Sequence, residues 1–127
     1  MKALGRQLVV EFWDCQGDLN SAELIEKTLK EAVQKARAFL LDTKVHRFQP
    51  QGISGVAVIA ESHISIHTWP EYKYAAVDVF TCGNTDPDAA VEHILQVLKP
   101  KKVKTLRIER GVLQDQNLHL EYKDYDT

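Results

Sequence analysis

The stretch from residue 52 to 83, GISGVAVIAESHISIHTWPEYKYAAVDVFTCG, gathers Glu61, Ser62, His63, His67, Glu71 and Cys82 together with Trp69, Tyr72 and Tyr74. Carboxylate, hydroxyl, imidazole and thiol are the groups of nucleophilic and general acid–base chemistry. Two ordinary arrangements fail the spacing. Zinc would want His63 and His67 to converge, which i, i+4 does on a helix, but HISIH alternates as a strand and sets the two rings about 13 Å apart along one face. A hydrolase nucleophile would want GxSxG, and Ser54 in GISG is one residue short of it. The two cysteines cannot build a disulfide framework, and without a CxxC pair neither reads as a zinc ligand. Cys15, just before the Gly17 turn, reads as a half-buried small hydrophobe. Cys82, at a strand end before Gly83, is better placed for chemistry.

The elements that must position these groups show in the periodicity. RQLVVEFW, residues 6–13, is a first strand closed by turn residues from Asp14 to Asp18. Asn20 followed by Ser21, Ala22 and Glu23 predicts a capping box, with Leu19 and Leu24 as the hydrophobic staple. Behind it Leu24, Ile25, Leu29, Ala32, Val33, Ala36, Phe39 and Leu40 form one stripe, a helix of about five turns. From Lys44 to Phe80 the period becomes two, in the runs VHRFQ, GVAVIAE, HISIHTW and YAAVDVFT. Asp86 then caps a second helix, with Pro87 at its first position and Ala90, Val91, Ile94, Leu95 and Leu98 as its stripe. VKTLRIER and LHLEYKDY offer further strands, and Lys99, Lys101, Lys102 and Lys104 read as a solvated helix C-terminus.

Two one-sided helices among strands predict an α+β fold, a two-layer antiparallel sheet with both helices on one face, in a single domain over residues 1–127. In YAAVDVFTC, the parity Ala75, Val77, Val79, Thr81 suits packing beneath helices. The other parity, Tyr74, Ala76, Asp78, Phe80, Cys82, is too apolar for open water and too polar for a plain core, which suits a face covered by another subunit and lining a site. The chain has 127 residues, 44% hydrophobic and 27% charged, with a net charge of −2. That balance is ordinary globular composition and lacks the basic field of a nucleic-acid binder. The apolar N-terminal stretch is interrupted by Glu11 and Asp14, too short for a signal sequence or membrane span, so the expectation is a cytoplasmic protein with no nucleic-acid or membrane partner.

The run AESHISIHTWPEYKYAAVDVFTCG, with RFQPQGISGVAVI before it, resembles the processing and active-site segment of the small prokaryotic S-adenosylmethionine decarboxylase proenzymes, a pyruvoyl-dependent family. One position departs: Lys73 in EYKYAAVD, where a small residue such as Gly is expected. The resemblance implies self-cleavage between Glu61 and Ser62 into chains of residues 1–61 and 62–127. Ser62 Oγ would attack the Glu61 carbonyl, and β-elimination followed by hydrolysis would leave a pyruvoyl group in place of Ser62. That ketone can form a Schiff base with the substrate amine and serve as the electron sink, with no pyridoxal phosphate and no metal. By the same resemblance, His67 is the base in processing, Ser54 helps stabilise the tetrahedral intermediate, and Cys82 is the proton donor in decarboxylation. Glu71 accepts hydrogen bonds from the ribose hydroxyls, while Phe48 and Trp69 stack on adenine or face the sulfonium. His63 shapes the junction only.

Singly, His67, Cys82, Phe48 and Trp69 read as ordinary strand or interface residues; in this order and spacing they do not. The expected function is decarboxylation of S-adenosylmethionine to the aminopropyl donor of spermidine synthesis. Two rivals stand beside it: a pyruvoyl-dependent arginine or ornithine decarboxylase, and an uncleaved dimeric small-molecule binding module. The expected partner is a second copy, two sheets meeting face to face as an αββα sandwich with Ser62 and Cys82 of one chain facing Ser54, His67, Phe48 and Glu71 of the other, as a homodimer or a higher assembly of dimers.

Overall fold

The computed structural model describes residues 2–126. Its order is β1 (Ala3–Trp13), α1 (Ala22–Lys35), β2 (Phe39–Arg47), β3 (Ile53–Ala60), β4 (Ser62–Trp69), a one-turn 3-10 helix (Pro70–Tyr72), β5 (Tyr74–Thr81), α2 (Pro87–Leu98), β6 (Lys102–Val112) and β7 (His119–Asp126). The strands form one antiparallel sheet in the order β2-β3-β4-β5-β1-β6-β7. Both helices lie on one face, as the one-sided stripes predicted. Ile25, Leu29, Ala32 and Val33 of α1 and Ala90, Ile94 and Leu98 of α2 are buried against Leu8, Val10, Phe12, Ala57, Ile64, Ile66, Val77 and Val79 of the sheet. Apart from Gly5, the residues of the other parity in β1, β3, β4 and β5 remain half-buried or exposed. No helix among the described residues is long and apolar enough to cross a membrane.

Three boundaries differ from the sequence reading. The α1 cap is Ser21, whose Oγ accepts from Leu24 N at 3.1 Å. Asn20 instead uses Oδ1 to accept from Gly52 N at 3.1 Å, tying the helix entry to the β2–β3 turn. The helix also stops at Lys35, so Phe39 and Leu40 belong to β2. Its end is a Schellman closure: Ala38 N donates to Val33 O at 3.1 Å and Arg37 N to Gln34 O at 3.0 Å, with Arg37 at φ 59°. That left-handed position is usually glycine, and an arginine there gives no stop signal. The lysine run divides as well: Lys99 caps α2 in the left-handed region, while Lys102 and Lys104 lie on β6, where Lys104 Nζ pairs with Asp124 at 2.9 Å.

Candidate active site

The β3–β4 ladder sets Ser54 opposite His67 on the helix-free face. Register puts the two side chains side by side, and Ser54 Oγ lies 2.8 Å from His67 Nδ1. Around this pair opens a cleft of about 330 Å³, walled by Phe48, Gly52, Thr68, Trp69 and Glu71. Gly52 adopts φ 105° to close the turn, and Phe48 N donates to its carbonyl at 2.8 Å. Thr68 holds the wall from behind: its buried hydroxyl donates to Leu19 O at 2.8 Å and accepts from Ile53 N at 3.0 Å. Phe48 meets His46 edge to face at 4.6 Å.

Trp69 is braced from the neighbouring strands. Tyr74 packs on it with ring centroids 5.4 Å apart and on Trp13 at 4.4 Å. Glu11 accepts from Tyr74 OH at 2.9 Å and from Trp13 Nε1 at 3.3 Å. Burial and the Glu11 carboxylate push the Tyr74 phenol up to about 12, so it stays a donor. Lys73, the departure noted in the sequence, sits in the left-handed region at φ 52°, which explains why glycine suits that position.

The second cluster lies at the far end of β4. Ser62 begins that strand, at φ 118°, a region that residues with a side chain rarely occupy. The Cys82 thiol donates toward two acceptors of Glu61, its main-chain carbonyl at 3.7 Å and Oε1 at 3.6 Å. Burial raises the thiol's pKa, and the Glu61 carboxylate raises it further by charge and by accepting the proton. His63 meets Phe80 edge to face at 5.9 Å, with the Arg110 guanidinium over the same ring at 4.6 Å. Thr81 stands across the β4–β5 ladder from Ser62, fully buried, and its Oγ1 has no hydrogen-bond partner among the described residues.

Ser54, His67, Phe48, Trp69 and Glu71 therefore share one cleft, while Glu61, Ser62 and Cys82 share another place. Five residues of β4 separate Ser62 from His67, roughly 17 Å at strand rise. Within one chain the two groups do not meet. No cluster of three metal-ligating side chains occurs among the described residues. Cys15 is buried, its thiol pushed up to about 12 by burial and by the charge of Asp14. The roles of Thr68, Thr81 and the Glu11–Tyr74 brace had no sequence signal, since each depends on cross-strand register.

The comparisons with known proteins point one way. A family profile described as S-adenosylmethionine decarboxylase matches residues 6–111. An S-adenosylmethionine decarboxylase proenzyme of Thermotoga petrophila is 50% identical over 113 residues, covering 87% of each chain. One from Methanococcus maripaludis is 48% identical over 117 residues, covering 91% of this chain and 96% of that protein. The crystal structure of the adenosylmethionine decarboxylase of Aquifex aeolicus superposes with a TM-score of 0.82 at 36% identity, over 92% of this chain and 98% of that one. The Trypanosoma brucei AdoMetDC-delta26 monomer shares the fold, with a TM-score of 0.66 at 15% identity over 96% of this chain and 65% of that one.

Proposed function

The chain belongs to the S-adenosylmethionine decarboxylase family, and from that premise we propose how its residues divide the work of a self-processing enzyme. It decarboxylates S-adenosylmethionine. The observation that supports the residue assignment is the Cys82 thiol aimed at the Glu61 carbonyl, a source of a proton beside the bond proposed to break. Ser62 Oγ attacks the Glu61 carbonyl carbon, and the negative charge that develops on the carbonyl oxygen finds the thiol already aimed at it. Ser54 offers a second donor. His67, held by Ser54, takes the proton from Ser62 Cα in the elimination that follows. Chains of residues 1–61 and 62–127 result.

The surroundings of Ser62 fit a pyruvoyl group made there, since the buried Thr81 hydroxyl across the ladder lacks a partner among the described residues and can donate to a new carbonyl. When present, that group supplies the electron sink that loss of carbon dioxide requires. Cys82 holds the proton for the carbon that loses its carboxylate. Glu71 accepts from the ribose hydroxyls, Phe48 stacks on adenine, and Trp69, fixed by Tyr74, turns a π face to the sulfonium.

The distance between the two clusters calls for a second copy. Cys82 shares the parity of Phe80 on the uncovered face, and Ser62 sits beside it at the end of β4 opposite the Ser54–His67 cleft, so an isologous dimer that stacks these faces with β4 reversed brings Cys82 and the Glu61–Ser62 junction to the partner's cleft. Intact mass of purified protein tests the first step: two chains from the wild type, one from Ser62→Ala. Carbon dioxide release with S-adenosylmethionine, arginine and ornithine tests the substrate. Co-expressed Cys82→Ala and Glu71→Ala chains test the shared site, since a mixed dimer keeps one undamaged site and regains activity that each variant lacks. A single full-length mass after long incubation refutes the processing, and verified mixed dimers without recovery refute the sharing.

A further inference from the structure

The proposed processing needs only the carbonyl of Glu61, yet the Glu61 side chain accepts from Cys82. We propose that Glu61 is a positioning residue that keeps the Cys82 thiol protonated, and that self-cleavage tightens this hold by turning the Glu61 carbonyl into a second carboxylate on the same sulfur. The second half rests on the proposed cleavage at Glu61–Ser62.

The geometry supplies both halves. Sγ lies 3.6 Å from Glu61 Oε1 and 3.7 Å from the main-chain oxygen. When Ser62 Oγ replaces the peptide nitrogen on the Glu61 carbon and elimination then breaks the Ser62 Cβ–Oγ bond, Oγ departs with Glu61. A neutral carbonyl thereby becomes a carboxylate, one full negative charge added beside the sulfur. Both partners stay anchored. Ala60 pairs with Phe39 in the β2–β3 ladder, one residue before the new terminus, and Thr81, one residue before Cys82, pairs with both Arg6 and Ser62.

The other charges near this corner are mostly cationic, and they contact atoms other than the sulfur. Arg6 of β1 donates to the carbonyls of Gly83 at 3.3 Å and Thr85 at 2.8 Å. Lys2, Arg37 and Glu109 line the cleft beside Gly83, Arg110 of β6 covers Phe80, and His63 of β4 faces the same ring. Asp86 at the head of α2 is committed to Ala89 N. Among these groups only Glu61 reaches the sulfur, and its removal would make the thiolate easier to form. Two chemical demands oppose that. A proton donor must begin each turnover protonated. The substrate is a sulfonium, an alkylating agent, and a thiolate beside it is a nucleophile that a neutral thiol is not.

The test is alkylation of Cys82 by iodoacetamide in native protein across pH, read by peptide mass, with buried Cys15 as the unreactive internal control. Three proteins are compared: the cleaved wild type, intact Ser62→Ala, and intact Ser62→Ala/Glu61→Gln. At pH 8 the rate should fall from the double variant to Ser62→Ala to the cleaved protein, by roughly threefold or more at each step, the scale of a solvent-screened carboxylate in contact. The midpoint of each pH profile should rise in the same order. A change in access alone would alter the plateau and leave the midpoint in place. Coincident midpoints for Ser62→Ala and the double variant overturn the role of the side chain. A cleaved protein with a midpoint no higher than Ser62→Ala overturns the effect of cleavage. A wild type that stays intact by mass refutes the processing reading by itself, and the glutamine comparison still decides the side chain's role.

Discussion

Thr81 offers a measurement of how the fold is prepared for what happens at Ser62. Its side chain is fully buried, and Oγ1 finds no hydrogen-bond partner among the described residues. A buried hydroxyl left unpaired costs about 1–3 kcal/mol. Valine has the same shape with a methyl in place of the hydroxyl, so Thr81→Val removes that penalty and buries one more apolar group. In the Ser62→Ala background, where no cleavage occurs, the variant should gain about 1–2 kcal/mol. With a urea slope of about 2 kcal/mol/M, the midpoint should move up by about half a molar to one molar. In cleaved protein the proposed pyruvoyl group would give the hydroxyl a carbonyl to donate to, and losing that bond costs about 1 kcal/mol, so the gain should largely vanish. Turnover should fall in the same variant.

The assay is equilibrium unfolding in urea at one fixed protein concentration, since the proposed subunit association would enter the apparent stability. Four proteins close the cycle: each Thr81 state with and without cleavage. A Thr81→Val change that destabilises the Ser62→Ala protein would show that the hydroxyl already has a partner, a bound water for instance. An equal gain in cleaved and uncleaved protein would show that it has none in either state and does not meet the group made at Ser62.

Other expectations concern the walls of the site. Lys73→Gly removes a side chain from a left-handed position at φ 52°; the strain relieved exceeds the added chain entropy by about 0.5 kcal/mol, so thermal unfolding should shift upward slightly. A Cβ at Gly55 would come within 2.9 Å of Leu29 Cδ1 and 3.1 Å of Ile25 Cγ2, so Gly55→Ala should cost about 1–3 kcal/mol in a urea titration by pushing α1 off the sheet. Tyr74 ionises near 12 in the folded chain against an ordinary value of 10.0. Ionisation therefore favours the unfolded chain only above pH 10: stability should be flat below that, decline from about pH 10 to 12, and decline less in Tyr74→Phe, as alkaline unfolding curves will report.

Much of the fold was legible because burial imposes periods. Alternation in VHRFQ, GVAVIAE, HISIHTW and YAAVDVFT marked the strands, and the parity split of β5 correctly separated Val77 and Val79 beneath the helices from Asp78 and Phe80 on the other face. The end of α1 was not legible, because Arg37 takes the left-handed position without glycine, and Phe39 and Leu40 continue the apolar spacing past it. The cap was misplaced by one residue because Asn20 and Ser21 are both good caps and only tertiary structure sends Asn20 to Gly52. Within the candidate site, residue types and order were readable, but distances were not. The 2.8 Å contact of Ser54 with His67 follows from the β3–β4 register, and the loneliness of Thr81 Oγ1 follows from what surrounds it in three dimensions.

The uncovered face links site assembly to association. Beyond the two half-sites it carries Leu106 and Ile108 of β6 and, paired with them, Tyr122 and Leu120 of β7, the last two 64% and 62% exposed, while Val58 and Trp69 stand exposed on β3 and β4. An apolar face of that extent fits the proposed second copy, and the groups proposed for the chemistry stand at opposite ends of β4. In the proposed dimer, burying the apolar surface and joining the half-sites are one event. It follows that processing of freshly refolded proenzyme should depend on concentration. In dilute solution the half-time of cleavage, followed by intact mass, should shorten as protein concentration rises, and become constant once all chains are paired. Ser62→Ala protein added in excess should speed cleavage of dilute wild type, because it lacks only the nucleophile and still offers Ser54 and His67. A half-time independent of concentration down to chains shown to be monomeric would place both halves of the chemistry in one chain, against the roughly 17 Å that β4 puts between them.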